Sequence, residues 1–189
     1  QPVAKPTLAV QQGERVKSRR FYLSVTESEG MGVIRIVWGT ASGPTAIASY
    51  DAALAAANVH NYNLVSVSSV VPADATIEVV ADAPSLGPAG ERLTVVEGRS
   101  TVSPDDAGRV AACLGWSRES EGPGIFYESA GREPEAVRDR VDQGLKAGQE
   151  LRSWDFDDEG KRLVTADADS EMYTTAVVLA VYGDSTPLL

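Results

Sequence analysis

Two adjacent serines, Ser68 and Ser69, stand in a largely apolar stretch that begins at Leu64 and ends before Pro72. Leucine and the valines of this stretch are good strand formers, so the pattern predicts a buried strand. A hydroxyl in such a strand needs a hydrogen-bond partner, because an unpaired buried hydroxyl is costly. The ordinary interpretation of a bare serine pair is that both hydroxyls bind nearby backbone.

A serine pair can also cleave its own backbone. The Ser69 hydroxyl would attack the carbonyl of Ser68, and the resulting N-to-O acyl shift would give an ester. β-Elimination would then break the chain and leave dehydroalanine, which hydrolyses to a pyruvoyl group. The second fragment would begin with a ketone made from the protein itself. The flanking residues, and not the serine pair, favour this chemistry.

Two segments carry motifs, namely IVWGTASGPTAIASYDAALAAANVHNYNLVSVSSVVP around the serine pair and GIFYESAG around Glu128. The first combines a strand, a Gly/Ser/Pro turn, a helix with Tyr before Asp-x-Ala-Leu, then Asn-x-Asn-Leu and Ser-Ser. It resembles the processing region of the archaeal pyruvoyl-dependent arginine decarboxylases, and the second is similar to the segment that bears their catalytic Glu. The resemblance runs over about residues 31–182 and is weak over residues 73–118.

The resemblance implies a self-processing enzyme that converts L-arginine to agmatine and CO2 through a Schiff base on a pyruvoyl group formed from Ser69. That covalent cofactor would replace pyridoxal phosphate, and no metal is expected. Glu128 matches the general acid that protonates the carbanion, with a solvated strand Glu as the ordinary alternative. Asn63 matches the residue that holds the Ser68 carbonyl oxygen or the pyruvoyl oxygen, with an Asn bound to its own backbone as the alternative.

Asp51 lies in an alanine-rich segment, residues 45–57, that predicts a helix. Ile47, Asp51 and Leu54 fall on one face of it, and a carboxylate in an apolar stripe needs a partner. That partner is either a structural group, such as an Arg or a helix N-terminus, or a cationic substrate. In the resembling family the matching Asp binds the guanidinium of arginine, so we expect substrate contacts from Asp51, Ile47, Leu54 and Ser68.

Asn63 and Ser69 would lie about 20 Å apart on one straight strand. They cannot meet unless the chain bends or a second copy supplies one of them. We therefore expect a site between the subunits of a homotrimer, the assembly that the resemblance implies. Asp51 and Asn63 would come from one copy, and Ser69 and Glu128 from the next.

The chain carries 27 acidic and 17 basic residues and a net charge of −10, which disfavours nucleic acid and anionic membranes as partners. An acid-rich, lysine-poor surface suits a high-salt cytoplasm such as that of haloarchaea, with an ordinary acidic protein as the alternative. The single Cys113 and single His60 exclude an intrachain disulfide and multi-His metal sites. No membrane-spanning run or signal peptide is visible, so we expect a cytoplasmic enzyme or binding domain.

Residues 1–30 differ from the rest of the chain, because their five basic and three acidic residues give +2 and leave −12 for the remainder. We expect a flexible N-terminal extension there, with a possible edge strand at residues 21–25. The functional domain would span residues 31–189 and would be cleaved into a β chain, residues 31–68, and an α chain, residues 69–189.

Periodicity and turn residues predict seven further strands, three helices, a turn and a loop. The strands are at residues 33–38, 76–80, 93–97, 124–129, 151–156, 162–166 and 172–182, the helices at 45–57, 103–114 and 132–149, the turn at 39–44 and the loop at 83–90. This pattern predicts an α+β domain. The resemblance implies a β-sandwich flanked by α-helices.

Two other functions remain open at this point. The chain could be a trimeric scaffold or small-molecule-binding protein that never cleaves itself, or a decarboxylase of another basic or aromatic amino acid. Fragments that end at Ser68 and begin with a pyruvoyl group distinguish the enzyme from the binding protein.

Overall fold

The most apolar run of the sequence lies in the central strand of a five-stranded sheet, sheet A. Within the run, Ala176, Val178 and Ala180 face one hydrophobic core, and the residues between them face another. Because both faces are covered, the run shows no polar alternation. Its expected central position is confirmed, with antiparallel neighbours on both sides.

The computed structural model describes residues 32–189, so the expected extension at residues 1–30 and the possible strand at residues 21–25 lie outside the described residues. Nine strands and two helices follow one another within the described range. They are β1 (Val33–Gly43), α1 (Ala46–Ala56), β2 (Asn63–Ser66), β3 (Val70–Val71), β4 (Thr76–Val79), β5 (Arg92–Val102), β6 (Arg109–Arg118), β7 (Gly124–Gly131), α2 (Pro134–Glu150), β8 (Asp158–Asp167) and β9 (Tyr173–Tyr182).

The strands form two sheets that pack face to face. Sheet A has the order β2-β5-β9-β1-β4, and sheet B has the order β3-β7-β6-β8. The core between them combines side chains of both sheets, among them Val96, Val178, Leu114 and Phe126. Helix α1 covers the other face of sheet A, and α2 covers the other face of sheet B. The predicted α+β class is confirmed.

Helix α1 lies unusually close to β1 because two glycines of that strand lack side chains. A Cβ on Gly39 would come within 2.0 Å of Ala53 O, and one on Gly43 within 2.7 Å of Ser49 N. The turn predicted at residues 39–44 is wrong, since β1 continues to Gly43. Glycine in a strand marks close backbone approach here and not a reversal of the chain.

Helix α2 confirms its predicted amphipathic pattern. Pro134 opens the helix, where its missing N–H leaves no bond unmade. Val137, Val141 and Leu145 are buried against Cys113 and other residues of sheet B. A Cβ on Gly144 of the same helix would come within 2.2 Å of the Tyr127 ring, so α2 also fixes the strand that carries Glu128.

The helix predicted at residues 103–114 is wrong. Ser103 Oγ donates to Asp106 Oδ2 at 3.0 Å and Asp106 N donates to Ser103 O at 3.1 Å, which closes a turn. The residues after it form β6, which pairs with strands on both sides and is buried along nearly its whole length. Cross-strand pairing on both edges outweighed the local helix-start pattern.

The strand predicted at residues 151–156 is also wrong, because no strand pairs with this segment among the described residues. Its aromatic side chains Trp154 and Phe156 pack against the core under α2. Asp155 N donates to Glu119 Oε1 at 2.9 Å, so a side chain takes the place of a neighbouring strand.

Neither helix of the described residues has the length and hydrophobicity that a membrane-spanning helix requires.

Candidate active site

The serine pair lies where the chain passes from one sheet to the other. The strand β2 before it pairs with β5 in sheet A, and β3 after it pairs with β7 in sheet B. Val65, Val67 and Val70 are 38%, 39% and 44% exposed, so the expected buried strand through this stretch is wrong. Ser68 is exposed and Ser69 is half-buried.

The backbone carbonyls of Ser68 and Ser69 both accept hydrogen bonds. Val70 N donates to Ser68 O at 2.8 Å, which closes a three-residue turn centred on Ser69. Among the described residues only Asn58 and certain glycines have positive φ, so this is the common inverse form of the turn. Phe126 N donates to Ser69 O at 2.9 Å. The Ser68 carbonyl, the expected point of attack, is therefore already hydrogen-bonded.

The Ser69 hydroxyl donates to Glu128 Oε2 at 3.3 Å. The register of β3 and β7, in which Val70 is opposite Ile125, brings the two side chains together. Glu128 is exposed in the single chain. A hydroxyl beside a carboxylate, next to a polarised carbonyl, has the arrangement of a nucleophile with a general base.

Tyr182, at the end of β9, reaches this turn from sheet A. Its hydroxyl donates to Val70 O at 2.9 Å, and its ring packs edge-on against Phe126 with 6.1 Å between ring centroids. Burial, assisted by the negative charge of Glu128, raises the pKa of Tyr182 well above its ordinary value. The hydroxyl therefore stays protonated and remains a donor.

A cavity of about 450 Å³ opens at the serine pair, a size typical of small-molecule sites. It is lined by residues 68–70, residues 125–128 and Arg152. Arg152 Nη1 donates to Gly148 O at 2.7 Å, and the guanidinium lies 5.2 Å from the Trp154 ring centroid. A larger cavity of about 620 Å³ beside Arg118 lies apart from the serine pair.

Tyr182, Arg152 and the backbone N–H of Val70 also belong to this site, although no motif in the sequence indicates them. Tyr182 ends an apolar strand and Arg152 follows a helix, so neither belongs to a local motif. Their positions depend on how the two sheets and α2 pack, which residue spacing does not show.

Asn63 is not bonded to the serine pair within the chain. Its side chain donates to Gly90 O, at the start of β2 in sheet A. The residue is exposed. Its expected role at the Ser68 carbonyl therefore stays a prediction that concerns a neighbouring subunit.

Asp51 is exposed on α1, forms no ion pair with another described residue and does not line the cavity at the serine pair. The expected apolar stripe around it is wrong, because Ile47 is 79% exposed whereas Leu54 is 6% exposed and lies in the core beneath the helix. Ile47 and Leu54 lie on the same side of the helix, but only the Leu54 end of that side is covered by the core, and Ile47 and Asp51 are exposed. Their predicted contacts with substrate are not tested by the single chain.

Among the described residues, no group of three or more His, Cys, Asp or Glu side chains is arranged to hold a metal ion. His60 is exposed and not among the residues that line the cavity. The carboxylate of Glu128 and the hydroxyls of Ser69 and Tyr182 are suited to proton transfer and to hydrogen bonding of a carbonyl oxygen.

Comparison with known proteins assigns the chain to a family. The family described as pyruvoyl-dependent arginine decarboxylase matches residues 33–187. A pyruvoyl-dependent arginine decarboxylase from Halobacterium salinarum is 52% identical over 157 residues, which cover 82% of this chain and 96% of the relative. One from Pyrococcus horikoshii is 32% identical over 143 residues, covering 75% of this chain and 87% of the relative. The acid-rich, lysine-poor composition of this chain fits a relative from a halophile. The chain belongs to the pyruvoyl-dependent arginine decarboxylase family.

Proposed function

We propose that this chain cleaves itself between Ser68 and Ser69, and that the pyruvoyl-bearing enzyme then converts L-arginine to agmatine and CO2. The observation that carries the proposal is the Ser69 hydroxyl bonded to Glu128, beside a Ser68 carbonyl that already accepts a backbone hydrogen bond. The relatives are named pyruvoyl-dependent arginine decarboxylases, which supports the arginine substrate and the pyruvoyl group.

The cleavage proceeds from the groups in place. The Ser69 hydroxyl passes its proton to Glu128 and attacks the Ser68 carbon, which transfers the acyl group from nitrogen to oxygen. Loss of the Ser69 Cα proton then expels Ser68 as a carboxylic acid and leaves dehydroalanine. One water hydrolyses the corresponding imine and releases ammonia, so the α chain, residues 69–189, starts with a pyruvoyl group.

The surroundings of Ser69 fit a pyruvoyl group. A methyl ketone needs no more room than the serine side chain it replaces, and the cavity of about 450 Å³ leaves space for a substrate beside it. Phe126 N–H continues to hold the residue's own carbonyl. The ketone supplies an electron sink for decarboxylation, so neither pyridoxal phosphate nor a metal is required.

Glu128 has a second role after cleavage. Its carboxyl lies on the cavity wall next to position 69 and returns a proton to the substrate carbon from which CO2 has left. Phe126 and Tyr127 on the same wall limit the access of water to that carbon.

The substrate's guanidinium is bound by a neighbouring subunit in this proposal. Asp51 carries an exposed carboxylate without an ion pair among residues 32–189, and the apolar Ile47 beside it is 79% exposed in the single chain. A trimer that places α1 and Asn63 of one copy over the Ser69 cavity of the next would cover Ile47 and complete the site. Leu54 supports that helix from below, and Ser68 lines the cavity.

The test is the intact mass of freshly purified protein, produced at high KCl, together with its activity on arginine. We expect two fragments divided at Ser68 and Ser69, the second carrying a pyruvoyl terminus, and CO2 release from arginine. Ser69→Ala should leave one inert chain. An uncut wild-type chain that does not act on arginine would support the binding-protein alternative, and a cut chain that prefers another amino acid would change the substrate only.

A further inference from the structure

Both backbone groups of Val70 that point away from β7 form hydrogen bonds, which is unusual for an edge strand. Because Phe126 N donates to Ser69 O, the next residue, Val70, turns its N–H and C=O away from β7. Such groups on an edge strand normally face water. Here the N–H donates to Ser68 O at 2.8 Å and the C=O accepts from the Tyr182 hydroxyl at 2.9 Å.

We propose that Tyr182 is a positioning residue for self-cleavage: by holding the Val70 carbonyl it keeps the Val70 N–H on the Ser68 oxygen, where negative charge develops when Ser69 attacks. This proposal rests on the proposed cleavage between Ser68 and Ser69. It assigns one oxyanion donor, in addition to the Asn63 expected from a neighbouring subunit, to the backbone N–H of the residue that follows the nucleophile. That donor belongs to the same subunit as the serine pair.

The step is balanced without another reactant. A bond forms between Ser69 Oγ and the Ser68 carbon, the carbonyl electron pair moves to Ser68 O, and the hydroxyl proton moves to Glu128. When the carbonyl re-forms, the bond to the Ser69 nitrogen breaks and that nitrogen takes the proton back. The ester is thus an isomer of the peptide.

The Val70 N–H already points at the oxygen on which charge will develop. Val70 N lies 2.8 Å from Ser68 O in the uncut chain, and effective donors lie roughly 2.7–3.1 Å from the position that the oxyanion takes. The bond strengthens as charge accumulates on the oxygen, so it lowers the barrier more than it stabilises the uncut chain. Tyr182 belongs to β9, the central strand of sheet A, and its ring packs against Phe126, which fixes the position of the hydroxyl. The hydroxyl can therefore hold β3, a short strand at the edge of sheet B, in place.

The experiment compares Tyr182→Phe with Tyr62→Phe. Each change removes one hydroxyl that donates to a backbone carbonyl, since Tyr62 OH donates to Gly87 O at 3.1 Å, away from the serine pair. Tyr62 OH also accepts from Leu86 N at 3.1 Å, so the control variant loses one hydrogen bond more than Tyr182→Phe. Cleavage of the freshly translated full chain is followed on denaturing gels, with and without hydroxylamine, which traps the ester. Stability is measured for both changes in the uncut Ser69→Ala background.

We expect Tyr182→Phe to slow cleavage by about 3- to 10-fold, the factor that corresponds to the loss of one neutral hydrogen bond. Hydroxylamine-dependent cleavage should slow by the same factor, because the acyl shift is the step affected. Tyr62→Phe should cleave at the wild-type rate, even if both variants lose similar stability.

Three results would overturn the inference. They are equal cleavage rates for the two variants, slowing of both in proportion to lost stability, and a defect of Tyr182→Phe that disappears when hydroxylamine traps the ester. In each of these cases a wild-type chain that still cleaves leaves the proposed function standing. A wild-type chain that never cleaves removes both proposals at once.

Discussion

The Ser69 hydroxyl donates to Glu128 Oε2 at 3.3 Å although 59 positions separate the two residues in the sequence. The short strand β3 produces this contact, because it joins sheet B at the edge of β7 directly after the serine pair. One carboxylate thus contacts the proposed nucleophile and also lines the cavity. The same group can act in the formation of the pyruvoyl group and in the reaction that follows.

Glu128→Gln separates these two roles. The amide oxygen still accepts a hydrogen bond from Ser69, so cleavage should slow but reach completion. The amide cannot deliver a proton to the substrate carbon, and turnover of the fully cleaved enzyme should fall by about 10²- to 10⁴-fold. The measurement is CO2 release from labelled arginine by protein whose cleavage has been verified by mass.

Glu135→Gln is the control, since Glu135 is an exposed residue of α2 whose pairing with Arg138 is also exposed. It should keep wild-type turnover. Unchanged turnover in cleaved Glu128→Gln would remove Glu128 as the general acid.

Segments with a single dominant periodicity could be predicted from the sequence. The i, i+4 repeat of Val137, Val141 and Leu145 has one explanation, a helix with one buried face, and α2 has that form. The apolar run of β9 is too long and too rich in valine for an edge strand. These signals are local, so they survive without knowledge of the rest of the fold.

Elements defined by distant partners could not be predicted in the same way. β6 lies between β7 and β8 and is buried on both faces, which removes the alternation that identifies a half-buried strand. The segment that contains Gly39 and Gly43 has the composition of a turn. Both residues nevertheless lie in a strand, where glycine is required because α1 packs so close to them. In both cases the deciding contact comes from another part of the chain.

The candidate site shows the same division. The serine pair and Glu128 were identified through motifs that resemble a known family, whereas spacing alone gave no reason to place them together. The change from sheet A to sheet B at residues 67–69 depends on β5 and β7, which lie far along the chain. The hydroxyl of Tyr182 became part of the site only because β9 ends beside β3.

Asp51→Asn tests the proposed substrate contact. A guanidinium bound to a carboxylate by charge-assisted bonds loses about 1.5–3 kcal/mol when the charge is removed, which corresponds to a KM for arginine higher by roughly 10- to 150-fold. Self-cleavage should proceed at the wild-type rate, because Asp51 does not line the cavity around the serine pair. Steady-state kinetics and a cleavage time course measure the two effects.

Asp139→Asn is the matched control, as it removes the same charge from an exposed position of α2. Its KM should equal that of the wild type. An Asp51→Asn enzyme with an unaltered KM would show that the guanidinium is recognised elsewhere.

Arg118 is 4% exposed and is bound by backbone carbonyls, with no ion pair to another described residue. Its guanidinium donates to Ala75 O after β3, and to Gly122 O and Glu119 O, both at 2.9 Å, in the turn between β6 and β7. It therefore ties the segment that follows the serine pair to sheet B. This tie matters most after cleavage, when Ser69 becomes the first residue of its chain.

Arg118→Met should destabilise the uncut Ser69→Ala protein by about 2–3 kcal/mol, because several carbonyls lose a buried donor at once. The cavity of about 620 Å³ beside Arg118 admits water to some of those carbonyls, which keeps the loss below that of a fully dry site. Arg138→Met, at an exposed position paired with the exposed Glu135, should change the free energy of unfolding by less than about 0.5 kcal/mol. Urea unfolding at constant high KCl measures the free energy of unfolding of both variants. Equal unfolding midpoints would mean that the hydrogen bonds from Arg118 to backbone carbonyls do not stabilise the attachment of the segment after β3 to sheet B.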